Sequence, residues 1–291
     1  MLRTILCLFS LSLILTSCNQ AGKQRPGDTY IPDSAELRAP MEAAEVIYAL
    51  SLPMDITGLF EETGTGFQPE LLMPLDRIPL YDRPGQMALL LGSLGVDLSY
   101  CKLFERSAEA ADCYRHIEFL AGRLDLPEDI FDISGVDLEY YVEDPDSLSV
   151  LIERIYDDVD RHFKATGNES LASLALLGGW LQTMYIGVHL YRDHRVLELG
   201  DRILQQKYAL NSLAGLLSNY QESLVVRRYM HSLNRLRLLY KGVEIRYPSK
   251  GFEMKPSERI FLVYGAEIDA KPEQLEQICD EILRTRQGMI P

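Results

Sequence analysis

The sequence predicts an all-α protein, a multi-helix bundle or an array of helical hairpins, on the basis of three observations. Apolar residues recur at helical spacing through most of the chain after residue 33. Two long stretches, 86–104 and 170–191, are predominantly apolar, which is typical of helices buried on every side. β-prone residues are concentrated after Gly242, where the pattern allows a small β-hairpin near the C-terminus. We expect residues 34–291 to form a single helical domain.

The N-terminus has the pattern of a bacterial lipoprotein signal. In Leu15-Thr16-Ser17-Cys18, an aliphatic residue and two small residues precede a cysteine, as in a lipobox. Arg3 supplies a basic start, and the apolar run from Ile5 to Leu15 has the length of a signal-peptide core but is too short to span a bilayer. We therefore predict that residues 1–17 are a signal peptide and that the Cys18 thiol carries the lipid. The alternative is an ordinary signal peptide, or a short buried helix, with a coincidental cysteine.

Residues 18–33 are predicted to be the lipidated cysteine and a flexible tether. The stretch is polar, contains glycine and proline, and has no apolar period to bury. Asn19 follows the cysteine in place of the aspartate that resembles an inner-membrane retention signal, so the outer membrane is favoured over the inner one. The predicted membrane contact is the lipid on Cys18, and the predicted partner of the domain is a protein or a glycan.

The charge balance argues against nucleic acid as a partner. The formal net charge is −14, and residues 1–17 contain a single charged residue, Arg3. A nucleic-acid binder needs a basic surface that displaces phosphate counterions. Charge is also segregated, since residues 125–160 hold 13 acidic side chains and one basic, whereas residues 192–246 hold ten basic and five acidic. We expect these two regions to be solvated faces that pair with each other within the bundle.

Prolines and glycines delimit the first elements. Ser34 as an N-cap and Pro53 as a stop predict a helix over 34–52. Residues 53–85 contain five prolines and four glycines, which predicts a long irregular connection with one short helical turn near 69–73. Such a connection either covers the core or has a function of its own.

Apolar periodicity predicts six or seven helices between residues 86 and 241. In one amphipathic helix, Asp146 is the N-cap and Gly167-Asn168 the terminator. Residues 193–219 supply either one long helix or two short ones. The remaining predicted helices are 86–104, 107–124, 170–191 and 221–241.

The pattern changes after Gly242. Residues 244–247 and 259–264 are predicted to pair as a hairpin, because the second segment is rich in β-branched and aromatic residues. Pro272 then opens a closing helix that runs to about Arg286.

The stretch 170–191 is uncharged and long enough to span a membrane. We interpret it as the central helix of a large bundle, because Gly178-Gly179 and Gln182 lie near its middle and His189 lies within it. Small residues there would let the backbones of neighbouring helices approach closely.

Short motifs mark both central stretches: Leu91-Gly92 with Val96-Asp97-Leu98-Ser99-Tyr100 in the first, and Gly178-Gly179-Trp180 with Met184-Tyr185-Ile186 in the second. These motifs resemble an uncharacterised family of all-helical bacterial envelope lipoproteins. The resemblance covers about residues 86–217, and it implies a helical fold without assigning an active site.

Asp97 is the most informative single residue, because it lies in a helix that is otherwise apolar from Met87 to Leu98. An unpaired carboxylate there would cost several kcal/mol, so it should face a partner or a water-filled cavity. One interpretation is a polar pocket between helices that holds a small ligand. The interpretation that we prefer is a buried ion pair that fixes helix register. The candidate members of this cluster are Asp97, Gln182, Tyr185, Lys207 and Asn211.

No motif for catalysis or cofactor binding is complete. The run from Ser99 to Lys102 satisfies Ser-x-x-Lys, but the Lys-Thr-Gly of the serine acyltransferases is absent. His-Glu-x-x-His, phosphate-binding glycine loops and calcium-loop spacing are also absent. We therefore predict no catalytic residue, no cofactor and no metal site. The expected function is a non-enzymatic helical binding or scaffold module, and the alternative is an enzyme or small-ligand carrier with a polar pocket around Asp97.

Cys101 and Cys113 are candidates for one disulfide. They straddle Glu105-Arg106-Ser107, a predicted helix–helix turn in which Ser107 would be the next N-cap. Residues at similar distances from such a turn face each other, and the envelope permits oxidation. On one continuous helix the two cysteines would instead lie about 18 Å apart and stay unbridged.

Overall fold

The computed structural model describes residues 64–131, 145–246, 252–255, 260–263 and 267–289. These residues form the predicted all-α fold, in which two very short antiparallel strand pairs accompany eight α-helices. The proposed signal peptide, Cys18, the tether and the helix at 34–52 lie outside the described residues. The helices are α1 (Pro84–Leu103), α2 (Ser107–Arg123), α3 (Pro145–Ala165), α4 (Glu169–His194), α5 (Leu197–Gln205), α6 (Lys207–Leu217), α7 (Leu224–Tyr240) and α8 (Pro272–Gln287).

Helices α1 and α4 form the centre of the fold, and both are buried on nearly all sides. They correspond to the two apolar stretches predicted to be core helices. Residues nearer the start of α1 contact residues nearer the start of α4. A Cβ atom added at Gly85 would contact Leu174, and farther along both helices Asp97 accepts a hydrogen bond from Gln182. The two helices therefore run in the same direction, and α2 and α3 supply the connection that returns the chain.

Two glycines allow the backbones of α1 and α4 to touch. A Cβ atom added at Gly92 would lie 1.8 Å from the carbonyl oxygen of Ala175, and one added at Gly178 would lie 1.9 Å from that of Leu89. No side chain fits in either place. The Ser93 hydroxyl strengthens the contact by donating to the Gly178 carbonyl at 3.0 Å. The close approach that the small residues predict is thus confirmed.

Among the described helices, α4 is the one that is long and apolar enough to cross a membrane. However, 83% of its apolar window is buried inside the fold. Burial of this kind is typical of the core helix of a globular domain, in agreement with our interpretation of the sequence.

The irregular connection before α1 covers the core. Its described part contains two 3-10 helices, Pro69–Leu71 and Leu75–Leu80, the first of which is the helical turn expected near 69–73. Three residues of the connection itself, Leu71, Met73 and Ile78, are almost fully buried. The connection therefore contributes apolar side chains to the core and is not a detached loop.

Two helix boundaries differ from the simplest prediction. The turn after α1 forms at Phe104–Arg106, but Arg106 rather than Ser107 is the N-cap of α2. Residues 193–219 contain two helices, α5 and α6, with Gln206 between them. The first residues of that range continue α4, which ends at His194.

The β-prone region forms two antiparallel pairs. Strand β1 (Glu244–Arg246) pairs with β4 (Glu267–Asp269), and β2 (Phe252–Lys255) pairs with β3 (Ile260–Val263). The small C-terminal hairpin is therefore confirmed, but the pairing predicted between the β1 and β3 segments is wrong. Strand β3 pairs with the nearer β2, because closing a short loop costs less entropy than closing a long one.

Replacing Gly178 by alanine should destabilise the fold strongly, because the new Cβ would overlap the Leu89 carbonyl. Overpacking typically costs about 1–3 kcal/mol, and we expect a loss at or above the upper end, since a backbone atom cannot move without its helix. The control is Gly215→Ala on α6, where nothing lies within 4 Å of the added Cβ. Alanine there should be stabilising by about 0.5–1 kcal/mol. Urea unfolding measures the free energy of unfolding of both variants. Equal stability of the two variants would contradict the backbone contact at Gly178.

Candidate functional site

Asp97 lies where α1, α4 and the covering connection meet, and it is completely buried. Its Oδ2 accepts a 2.7 Å hydrogen bond from the backbone N–H of Met73. Its Oδ1 accepts a 2.6 Å hydrogen bond from Nε2 of Gln182 on α4. The same Nε2 donates to the carbonyl oxygen of Leu71 at 2.9 Å. The carboxylate and the amide therefore bind the backbone of the covering connection to both central helices.

Arg286 of α8 completes this buried polar network, which we define as Asp97, Gln182 and Arg286. The residue is 6% exposed, and its Nε donates to Oε1 of Gln182 at 2.7 Å. A second guanidinium nitrogen contacts the sulfur of Met73. The guanidinium carbon lies 4.8 Å from the centroid of the Tyr185 ring, a favourable cation–π distance. The end of the last helix is thereby fixed to the same junction.

Burial dominates the electrostatics of the network. It raises the pKa of Asp97 to about 7, against the opposing effects of the Met73 N–H, the Gln182 amide and the charge of Arg286. Burial also lowers the pKa of Arg286, and the nearby Asp97 carboxylate opposes that shift. The carboxyl group is therefore close to balance between its neutral and charged forms near neutral pH.

Groups of the protein itself satisfy the network. Gln182 uses both its amide nitrogen and its oxygen, and each oxygen of Asp97 has a donor. Within the part of the chain that the structure describes, the one buried side-chain nitrogen or oxygen without a partner is Nε2 of Gln206. That residue lies elsewhere and accepts from the Trp180 indole at 2.9 Å. The geometry therefore favours a structural role for Asp97 over a polar pocket.

Three of the five residues predicted for a polar cluster come together, namely Asp97, Gln182 and Tyr185. The expected buried ion pair takes a different form. Its cation is Arg286, and the Gln182 side chain bridges the guanidinium and the carboxylate. A neutral amide can serve both neighbours because it donates on one side and accepts on the other.

The other two predicted members, Lys207 and Asn211, lie outside the network, which corrects the prediction. Lys207 donates from Nζ to the carbonyl oxygen of Val243 at 2.6 Å. Oδ1 of Asn211 accepts from Arg237 of α7 at 3.0 Å. Both residues are on α6, which packs against α7 as well as α4. Helical spacing shows that they interrupt an apolar helix, but not which neighbour they face.

Sequence reasoning missed Arg286 and the backbone of Leu71 and Met73. A signal for Arg286 was present, because it continues the apolar stripe of α8 four residues after Ile282, which is fully buried. A charged residue on a buried stripe needs a partner, as Asp97 does. The two backbone groups carried no comparable signal, since any residue type can supply them.

Arg246 of the basic stretch pairs with Glu244 within β1, and the other ion pairs described for this stretch go to α8. Arg192 of α4 lies 2.7 Å from Asp280, and Arg235 of α7 lies 2.7 Å from Glu281. The expectation that this stretch would pair with the acidic residues of 125–160 is therefore wrong for these arginines. Helix α8 packs against both α4 and α7, so its carboxylates are the nearer partners.

Cys101 and Cys113 contact each other across the turn between α1 and α2. Both are buried and free. The hydrogen bond between the two thiols, together with burial, raises the pKa of Cys113 far above its usual value. Because the thiolate is the reactive form, this environment slows oxidation. The disulfide between them stays a prediction.

Comparisons of the chain with protein-family models, with curated proteins and with solved structures give no match. The resemblance to helical envelope lipoproteins therefore depends on the short motifs of α1 and α4.

Replacing Asp97 by alanine should lower the free energy of unfolding by about 2–5 kcal/mol. The Met73 N–H and Gln182 Nε2 would lose their buried acceptor, and each unsatisfied donor costs about 1–3 kcal/mol. The control is Glu118→Ala, an exposed position on α2 where we expect a change within about 0.5 kcal/mol. Chemical denaturation measures both. Near-wild-type stability of Asp97→Ala would refute the structural role.

Because of Asp97, the free energy of unfolding should fall as the pH rises from about 4 to about 7. Its pKa of about 7 in the folded state lies above the ordinary 3.8, so the folded chain keeps a proton that the unfolded chain has lost. This stabilising contribution is full below about pH 4 and is lost as the pH rises through 7.

The measurement compares wild type with Asp97→Asn from pH 4 to 8, which cancels the titration of other carboxylates. The wild-type free energy of unfolding should fall by a few kcal/mol relative to that of the variant over this interval. A constant difference would mean that the pKa of Asp97 is not raised.

Proposed function

We propose that this chain is a lipid-anchored bacterial envelope protein whose helical domain is a non-enzymatic binding or scaffold module. The proposed anchor is a lipid on Cys18, the proposed location is the outer membrane, and the proposed partner is a protein or a glycan. The observation that supports a binding module is the closed polar network, in which Asp97 and Gln182 use their hydrogen-bonding capacity on the fold itself. The surface of the domain is then the part that contacts partners.

An enzyme or small-ligand carrier with a site at Asp97 is the second candidate. The raised pKa of Asp97 supports it, because perturbed carboxylates cluster at functional sites. However, structural networks perturb pKa values as well. A ligand at Asp97 would also have to displace the Met73 N–H or the Gln182 amide. The binding module is therefore the better supported of the two.

The Cys18→Ser variant tests the anchor. It should accumulate as an unprocessed precursor or leave the membrane fraction, and it should lose the incorporation of radiolabelled fatty acid, because serine lacks the thiol that receives the lipid. Cys7→Ser is the matched control: it lies in the segment that is removed, so processing and labelling should be normal. Retention and labelling of Cys18→Ser at the wild-type level would refute the proposal.

A further inference from the structure

Helix α7 exposes a face that contains arginine and leucine but no carboxylate. Its residues recur at spacings of three and four, which places them on one side of the helix. The opposite side is buried against the core, and it includes Val226, Leu233 and Tyr240. We call the exposed side the α7 outer face; it consists of Leu224, Arg227, Arg228, His231, Arg235 and Leu238.

The fold neutralises this face only in part. Arg235 pairs with Glu281 at 2.7 Å. Arg228 donates to a backbone carbonyl, that of Gly288, at 3.3 Å. The Arg227 side chain has no hydrogen bond or ion pair with any residue that the structure describes. The Debye length is about 8 Å at physiological ionic strength, so distant carboxylates of this acidic chain do not cancel the local charge.

The two leucines lie at opposite ends of the face. Leu224 is 73% exposed and Leu238 is 71% exposed. Fourteen residues of helix separate them by about 21 Å. Protein interfaces concentrate their apolar anchors at a desolvated centre, whereas here the centre is basic and the apolar side chains are at the ends. A cluster of arginines beside a bilayer is attracted to anionic lipid headgroups, and each basic residue near the surface adds to the attraction.

We propose that the α7 outer face docks on the anionic phospholipid headgroups of the membrane to which the chain is anchored. The guanidinium groups of Arg227 and Arg228 would bind phosphate oxygens, and Leu224 and Leu238 would enter the boundary between headgroups and acyl chains. This inference rests on the proposed function, because the lipid on Cys18 keeps the domain beside the bilayer at high effective concentration. Docking would fix the orientation of the domain on that membrane.

The test uses the full chain as bacterial cells process it, purified in detergent, with Leu238→Cys carrying a nitroxide label. Cys101, Cys113 and Cys279 are fully buried, so the label should attach selectively to the new thiol. The protein is reconstituted into vesicles of phosphatidylcholine alone, or of phosphatidylcholine with phosphatidylglycerol. Flotation measures anchoring, and the accessibility of the label to oxygen and to a water-soluble nickel relaxant measures docking.

On the anionic vesicles, the label at position 238 should gain oxygen accessibility and lose nickel accessibility several-fold, and high salt should reverse both changes. The same label at Leu197→Cys, an equally exposed leucine on α5, should not respond. The double substitution Arg227→Gln and Arg228→Gln should abolish both accessibility changes of the label at position 238. The charge-matched pair Arg115→Gln with Arg161→Gln, at exposed arginines of α2 and α3, should preserve it.

Each outcome separates the docking surface from the anchor. A chain that floats with both vesicle types while the label stays aqueous refutes docking and keeps the anchor; the face would then be available to an acidic protein. A chain that floats only with anionic vesicles, and loses this with the Arg227 and Arg228 substitutions, supports docking and refutes the anchor. A chain that floats with neither refutes both.

Discussion

The direct contact between the backbones of α1 and α4 is the constraint on which the rest of the structure depends. Gly92 and Gly178 remove the side chains that would hold the two helices apart. Farther along the two helices, Asp97 and Gln182 are then close enough for their short side chains to form a hydrogen bond of 2.6 Å. Larger residues at the two glycines would widen this spacing. The polar network therefore exists only because the crossing is so close.

The polar network in turn explains how the covering connection before α1 is held to the helical core. A covering connection with little regular hydrogen bonding must find partners for its backbone, since orphaned buried groups are costly. Asp97 accepts from the Met73 N–H, and Gln182 donates to the Leu71 carbonyl. The same amide holds Arg286 at the end of α8. One junction therefore joins distant parts of the chain, at the cost of desolvating a carboxylate and a guanidinium.

The sequence predicted those features that depend on a helix and its own periodicity. Burial of α1 and α4 follows from their apolar runs, and a partner for Asp97 follows from the cost of an unpaired carboxylate. The identity of that partner depends on how helices are oriented around one another, which periodicity does not contain. By periodicity alone, Lys207 is as suitable a partner as Gln182, but the orientation of α6 places its ammonium group at the Val243 carbonyl. The predicted strand pairing is wrong for a related reason: the choice of partner strand depends on how distant segments are arranged, which the local pattern does not contain.

The distribution of ion pairs connects the interior to the surface. The carboxylates of α8 pair with arginines on two neighbouring helices, Arg192 of α4 and Arg235 of α7. Glu281 of α8 pairs with Arg235, but no carboxylate that the structure describes on α8 forms an ion pair with Arg227, which lies two turns nearer the start of α7. Packing thus leaves a basic strip on a chain with a formal net charge of −14. Since screening limits electrostatic interactions to short range, an anionic surface that approaches α7 meets that strip rather than the average charge of the protein.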